Sequence, residues 1–154
     1  MKTISAGVLD ALTDTARTNA RLRMNHNLHP THEAPIQRLA IAMEPGTYVR
    51  PHRHPQSWEL LIPLRGRFLF TSFDDAGKPL ERHFLGGADG LSALEFDAGT
   101  WHTVTSLESG SVIFEVKEGP YVPVQAGDWP AWSAEDGTQA AAEFLAAMHA
   151  AAKG

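Results

Sequence analysis

Between residues 36 and 118 the chain consists of short segments in which apolar and polar side chains alternate. In residues 36–43, for example, Leu39, Ile41 and Met43 would lie on one side of a strand. Glycine- or proline-containing turns separate about eight such segments. One turn, residues 74–78, is predicted to connect a hairpin with Gly77 at positive φ. Many short strands joined by turns predict a mainly β sandwich or barrel.

Two helices are predicted to flank the β region. The first covers residues 5 to about 18 and begins at Ser5 as N-cap, and its apolar face comprises Val8, Leu9, Leu12 and Ala16. The second lies in the alanine-rich residues 133–154, with Thr138 or Ser133 as N-cap, and its apolar face comprises Phe144, Leu145 and Met148.

The chain shows no internal repeat and no linker, so we predict a single domain over residues 1–154. It comprises an N-terminal helix and cover segment (1–35), a barrel (36–118) and a C-terminal tail and helix (119–154). The formal net charge of −5 and the lack of a long basic run argue against nucleic-acid binding. No apolar run approaches the roughly 20 residues of a membrane helix, and residues 3–16 are too polar for a signal-peptide core, so we expect a cytoplasmic protein.

A cluster of potential metal ligands stands out in residues 48–60. If residues 47–54 form a strand, His52 and His54 share one face, and Glu59 would reach the same point from the next strand. His102, which follows a turn at Gly99, is a fourth candidate. The chain has no cysteine, so a metal would be bound by nitrogen and oxygen alone.

Three imidazoles and a carboxylate suit one divalent transition metal such as Fe, Mn, Co, Ni or Zn. Four protein ligands leave coordination positions for a substrate, water or dioxygen, which favours catalysis over a structural role. The alternative is that these are surface histidines in a chain that has eight of them. The regular spacing G-x5-H-x-H-x4-E-x6-G, bounded by Gly46 and Gly66, favours the metal site.

This spacing matches the first motif of the cupins, and the stretch around His102 resembles the second, with Asp97, Ser106 and Leu91 at positions where proline, asparagine and glycine are usual. The resemblance implies a cupin double-stranded β-helix (jelly-roll-like) barrel with flanking N- and C-terminal α-helices, and metal-ligand roles for the three histidines and Glu59. Residues 20–132 are similar to the WbuC-type cupins, which often accompany gene clusters for O-antigen and other cell-surface polysaccharides.

Four further residues are candidates for the substrate pocket: Arg50, Tyr48, Asn27 and His29. Arg50 and Tyr48 have the strand parity of the histidines. Arg50 would bind a substrate anion or pair with Glu44, Glu95 or Glu115, whereas Tyr48 would donate a proton or pack as an aromatic. Asn27 and His29 belong to a segment predicted to cross the barrel mouth irregularly.

Two smaller expectations concern the end of the chain. On the last strand the apolar set Val112, Phe114 and Val116 is expected to face the core, with Glu115 and Lys117 in water, although a polar cavity would reverse this. Trp129 and Trp132 are expected to pack the tail against the barrel.

The leading functional hypothesis is a metal-dependent enzyme, an isomerase, epimerase or hydrolase, that acts on a small polar molecule such as a sugar or sugar nucleotide. An Fe(II) dioxygenase and a non-catalytic module that binds a small molecule or metal are the alternatives. The cupin resemblance also suggests a homodimer formed through exposed strand edges.

Overall fold

The computed structural model describes residues 1–153, and the chain is mainly β with a helix at each end. The helices are α1 (Ala6–Thr18) and α2 (Gln139–Ala151), with a short 3-10 turn at Ala126–Asp128. The strands are β1 (Arg23–Asn27), β2 (Ile36–Met43), β3 (Glu59–Arg65), β4 (Arg67–Phe73), β5 (Pro79–Gly86), β6 (Leu94–Phe96), β7 (Trp101–Ser106) and β8 (Ser111–Glu118). No helix within residues 1–153 is long and apolar enough to span a membrane.

The strands form two facing antiparallel sheets. One has five strands in the order β1-β2-β8-β3-β6, and the other has three in the order β5-β4-β7. The inner faces bury one apolar cluster, which comprises Leu39, Ile41, Met43, Leu61, Phe68, Phe70, Leu85, Val104 and Ile113. This core lies between the two sheets, and several of its residues, such as Leu61 and Ile113, also line the cavity described below.

Helix α1 packs on the outer face of the larger sheet. The Ser5 hydroxyl caps it by accepting a hydrogen bond from the Val8 N–H at 3.3 Å, as predicted. Leu12 and Ala16 bury their side chains against Ala40 and other small residues of β2 and β8. The second half of β2 is therefore buried on both faces, with Ile41 and Met43 in the inner core and Ala40 and Ala42 beneath the helix.

Helix α2 covers the smaller sheet at the other side of the molecule. Thr138 caps it by accepting the Ala141 N–H at 3.2 Å, so Thr138 and not Ser133 is the N-cap. Met148 packs against Phe73 and Trp101, and Trp132 lies beside Phe73 with 5.0 Å between the ring centroids. The predicted packing of Trp132 is confirmed.

Two predictions of secondary structure were wrong. Residues 47–54 are not a strand, because Pro51 and Pro55 have no N–H to donate, and only an isolated bridge joins His52 to His102. Conversely, β1 is a regular strand that pairs with β2, in a segment predicted to be irregular. The inward-facing residues of β1 are polar, so the segment lacks the apolar alternation by which strands are recognised.

The orientation of β8 also differs from the expectation. Glu115 and Lys117 point into the barrel, whereas Val112 and Phe114 point outward and pack beneath α1. The expectation assumed that the outer face of the strand meets water. Because α1 covers the outer face, the apolar side chains of β8 are buried there, and the charged side chains lie on the inner face.

Gly66, between β3 and β4, has φ of +71°, and a Cβ there would overlap the fully buried side chain of Ser111. We therefore expect Gly66→Ala to lower the free energy of unfolding by about 1–3 kcal/mol, as measured by urea denaturation. Gly127→Ala is the matched control, since a Cβ at Gly127 meets no atom within 4 Å. Equal stabilities of the two variants would contradict this account.

Candidate metal centre

The four ligands predicted from the sequence come together inside the barrel. His52 and His54 lie on the extended segment before β3, Glu59 is the first residue of β3, and His102 is the second of β7. Backbone hydrogen bonds of 3.1 and 2.9 Å connect His52 and His102 in both directions. This bridge holds the extended segment that carries His52 against strand β7, which carries His102.

The imidazoles of the cluster surround the carboxylate of Glu59. Nε2 of His54 lies 3.0 Å from Oε1, and Nε2 of His102 lies 3.4 Å from Oε2. The ring centroid of His52 lies 4.6 Å from that of His102 and 4.9 Å from that of His54. The side chains of Glu59 and His102 are each only 3% exposed, so the cluster is shielded from bulk water.

The ring orientations of two histidines are set by backbone carbonyls. Nδ1 of His52 lies 2.9 Å from the Arg50 oxygen, and Nδ1 of His102 lies 2.9 Å from the Thr100 oxygen. A carbonyl can only accept, so each Nδ1 carries the proton, and in a neutral ring Nε2 has the free lone pair. Histidines that bind metals are usually oriented by such a hydrogen bond on the other ring nitrogen.

The protonation states also suit metal ligands. Burial, reinforced by the neighbouring His102 and His54, lowers the pKa of His52 to about 3. Burial likewise lowers the pKa of His54 to about 4, so both rings are neutral at neutral pH. Burial would raise the pKa of Glu59, but the hydrogen bond and charge of His102 and the charge of Lys117 outweigh it and hold that pKa well below its usual range.

The contact between His102 and Glu59 tests whether a metal fits. With Nδ1 protonated, Nε2 of a neutral His102 and Oε2 of Glu59 are both acceptors 3.4 Å apart, so neither donates a hydrogen bond to the other. A bound cation would be shared by these two acceptors. The donor set therefore fits a divalent metal bound by nitrogen and oxygen.

The donor atoms are not already spaced as a ligand shell. Within residues 1–153, no group of three or more histidine, aspartate or glutamate side chains has the arrangement of a metal site. The reason is visible in the cluster, because His54 and His102 contact the Glu59 carboxylate directly. The residue types, tautomers and burial support a metal centre.

A buried ion pair lies beside the cluster. Nζ of Lys117 lies 2.9 Å from Oε1 of Glu115 and 3.3 Å from Oε1 of Glu59. Burial would lower the pKa of Lys117, but the two carboxylates outweigh it and raise that pKa, so Lys117 keeps its charge. Burial also raises the pKa of Glu115. No site role was predicted for Lys117, although residues 113, 115 and 117 alternate along β8 and share one face.

The cluster opens into a cavity of about 590 Å³ between the sheets. Three of the predicted pocket residues, Asn27, His29 and Arg50, line it. Tyr48 is not among the lining residues, since its hydroxyl donates to the Ala134 carbonyl at 2.9 Å and its ring packs near Phe144. Tyr48 therefore holds the tail, and no proton-donor role follows from its position.

Arg50 pairs with none of the three glutamates considered for it. Its Nε donates to the Ser133 hydroxyl at 3.0 Å and its Nη2 to the Ser133 carbonyl at 3.1 Å. The guanidinium lies over the ring of Trp129, 4.8 Å from the centroid. Trp129 thus lines the cavity and places Arg50 there, a role that the sequence did not reveal.

The sequence pattern of a family described as a domain of unknown function, DUF6016, matches residues 4–85. The chain belongs to this family. The DUF6016 match extends from just before α1 to within β5 and includes His52, His54 and Glu59 but not His102. No curated protein matches the sequence.

Solved structures show which fold this DUF6016 chain adopts. KdgF from Halomonas sp. is 15% identical, with a TM-score of 0.50 over 68% of this chain and 85% of KdgF. An oxalate oxidase in complex with the substrate analogue glycolate is 15% identical, with a TM-score of 0.54 over 70% of this chain and 56% of the oxidase. Bacillus subtilis oxalate decarboxylase, described with Mn(II) centres, is 18% identical, with a TM-score of 0.50 over 73% of this chain and 34% of the decarboxylase.

These similarities establish the fold. The matched proteins have the cupin fold, so the predicted cupin architecture with flanking helices is confirmed, although the two sheets are not closed into one continuous barrel. The chain spans about half the length of the oxalate oxidase and about a third of the decarboxylase. At identities of 15–18% the likeness extends to architecture alone, and the WbuC subtype stays a prediction.

Proposed function

We propose that this protein is a metal-dependent enzyme that acts on a small polar substrate in its barrel cavity. One divalent transition metal would be held by His52, His54, Glu59 and His102. The observation that carries the proposal is the approach of two imidazole Nε2 atoms to the two oxygens of Glu59, at 3.0 and 3.4 Å. A buried, oriented set of nitrogen and oxygen donors at the end of a cavity is typical of a catalytic metal site.

A bound metal would polarise substrate oxygens as a Lewis acid. The protein's own groups would position the substrate. Lys117 stays protonated beside Glu59 and would donate hydrogen bonds to a substrate oxygen, while Glu115 keeps the ammonium in place at 2.9 Å. Leu61, Val104 and Ile113 line the cavity floor and exclude water from the reacting groups.

The substrate part of the proposal is a sugar or sugar nucleotide of cell-surface polysaccharide metabolism. The support for it is the resemblance of residues 20–132 to the WbuC-type cupins. A cavity of about 590 Å³ with polar walls has room for a monosaccharide and part of its substituent. Isomerisation, epimerisation or hydrolysis would follow from polarised substrate oxygens.

The metal is tested by elemental analysis of the purified protein. We expect close to one equivalent of a transition metal in the native chain and the loss of most of it in the His52→Ala/His102→Ala variant, since two of four ligands are removed. His83→Ala is the matched control, because His83 lies on β5 beside Glu81 and outside the cluster. Full occupancy of the double variant would refute the assignment.

Turnover is tested separately with the protein loaded with Mn, Fe, Co, Ni or Zn. Each form is incubated with a panel of sugar nucleotides, and products are separated by chromatography. Conversion that depends on metal and is lost in the double variant supports the enzyme. Stoichiometric metal binding with no conversion across the panel would favour a binding module instead.

A further inference from the structure

The cavity is positively charged although the protein as a whole is negative. The formal net charge of the chain is −5, yet four cationic and two anionic side chains line the cavity. The cationic residues are Arg21, Arg23, Arg50 and Lys117, and the anionic residues are Glu59 and Glu115. A bound divalent metal would add to this excess. Charge of one sign concentrated in a concave, partly apolar site attracts ligands of the opposite sign.

Arg23 forms no ion pair, although the carboxylate of Asp136 lies near enough to act on its charge. It is the first residue of β1, half-buried, and it shares with Asn25 and Asn27 the strand face that lines the cavity. Among residues 1–153 its guanidinium forms no ion pair. Burial, and secondarily the nearby Arg21, lowers its pKa, and the carboxylate of Asp136 opposes them only in part. A half-buried guanidinium with no carboxylate in contact is costly unless a ligand compensates it.

Arg50 is held in place with donors to spare. Ser133 accepts from its Nε and Nη2, and the indole of Trp129 lies against its plane. A guanidinium carries five N–H donors, so the two bonds to Ser133 leave three for a ligand. A stacked, oriented guanidinium with free donors is suited to bind a planar or tetrahedral oxyanion.

The C-terminal tail contacts two arginines of the cavity, Arg50 and Arg21. Ser133 binds Arg50, and three residues later Asp136 pairs with Arg21 at 3.2 Å. Arg21 is 58% exposed and already has this partner, so it contributes less to the cavity than Arg23 does. Asp136 also acts on the charge of Arg23, so residues 133–136 lie near both Arg50 and Arg23. Arg23 and Arg50 both line the cavity, and we call them the arginine wall.

We propose that the arginine wall is an oxyanion subsite, and that the substrate carries a carboxylate or a phosphate that binds there. Arg23 lies on β1 opposite Met43, whereas Lys117 pairs with Gln37 at the other end of β2. The anionic group would thus anchor the molecule away from Lys117 while its remaining oxygens reach Glu59 and the histidines. This assignment adds a substrate class to the function proposed above. It rests on that function only for the part of the substrate that would lie near Glu59 and the histidines.

The test uses three small probes: inorganic phosphate, acetate and acetamide, the last being a neutral analogue of acetate. Each is titrated into the full chain, both metal-loaded and metal-stripped, and binding is followed by amide chemical shifts in NMR. We expect saturable binding of phosphate, acetate or both, with a dissociation constant on the order of 1 mM, in the metal-stripped form as well. Arg23→Gln and Arg50→Gln should each weaken it about tenfold or more, because a hydrogen bond to a charged group is lost.

Arg82→Gln is the matched control, since Arg82 is exposed on β5 and does not line the cavity. Preference for phosphate or for acetate identifies the substrate's anionic group. Equal binding of acetamide and acetate, unchanged binding in Arg23→Gln, or no saturable binding would overturn the subsite. If anions bind the arginine wall but the native chain takes up no metal, the proposed function fails and the subsite stands.

Discussion

Replacing Lys117 with methionine is expected to lower the free energy of unfolding of the metal-free protein by about 3–5 kcal/mol. Lys117 is only 13% exposed and lies between the carboxylates of Glu59, at 3.3 Å, and Glu115, at 2.9 Å. Methionine keeps the length of the side chain but removes the charge. Two carboxylates with little access to water would then face each other uncompensated, and that desolvation penalty is the source of the loss.

The loss is measured by urea denaturation in the presence of a chelator. Lys78→Met serves as control, because Lys78 is exposed in the hairpin between β4 and β5. Adding Glu115→Gln to Lys117→Met should restore part of the stability, with an interaction energy of about 0.5–3 kcal/mol in the double-mutant cycle. If Lys117→Met were no more harmful than Lys78→Met, the buried ion pair would have no energetic importance.

Phe70→Ala is expected to cost about 3–5 kcal/mol, since it empties the centre of the inner core. Phe70 is 2% exposed on β4, and its ring lies 4.8 Å from that of Phe96. It is also stacked on His102, with 6.0 Å between the centroids and 16° between the planes. The same substitution should therefore weaken metal binding, because one wall that orients His102 is removed.

Phe70→Leu is the matched control. Leucine refills most of the volume, so its loss should be clearly smaller. Stability is followed by urea denaturation, and metal affinity of the folded fraction by competition with a chromogenic chelator. Equal stabilities of the alanine and leucine variants would show that the core does not depend on this ring. Unchanged metal affinity in Phe70→Ala would show that His102 is oriented by its backbone contacts alone.

The sequence was most informative where side chains follow a simple period or a fixed spacing. Alternation in β2 placed Leu39 in the core, and the caps at Ser5 and Thr138 marked where the helices begin. The spacing of His52, His54 and Glu59 selected residues that the structure brings together. Alternation and helix caps are local properties, since they depend on the pleat of a strand or on the free N–H groups of a helix. The histidine spacing was informative for another reason, because His52 and His54 lie on an extended segment that is not a strand.

Other features depended on contacts between distant parts of the chain. β1 could not be recognised because its inner face, with Arg23, Asn25 and Asn27, is polar and lines a cavity. The orientation of β8 was decided by α1, which covers its outer face with apolar side chains. Whether a strand's polar residues face water or a cavity depends on what packs on either side, and no single segment carries that information.

The sequence by itself determined the class of fold and the four residues proposed to hold a metal. Only the tertiary structure decided which charges accompany them. It placed Lys117 between Glu59 and Glu115, left Arg23 in the cavity lining without an ion pair, and bound Arg50 to Ser133 of the tail. The physical reason is that electrostatic interactions act through space and in proportion to burial, so they follow the packing of the whole chain and not its order.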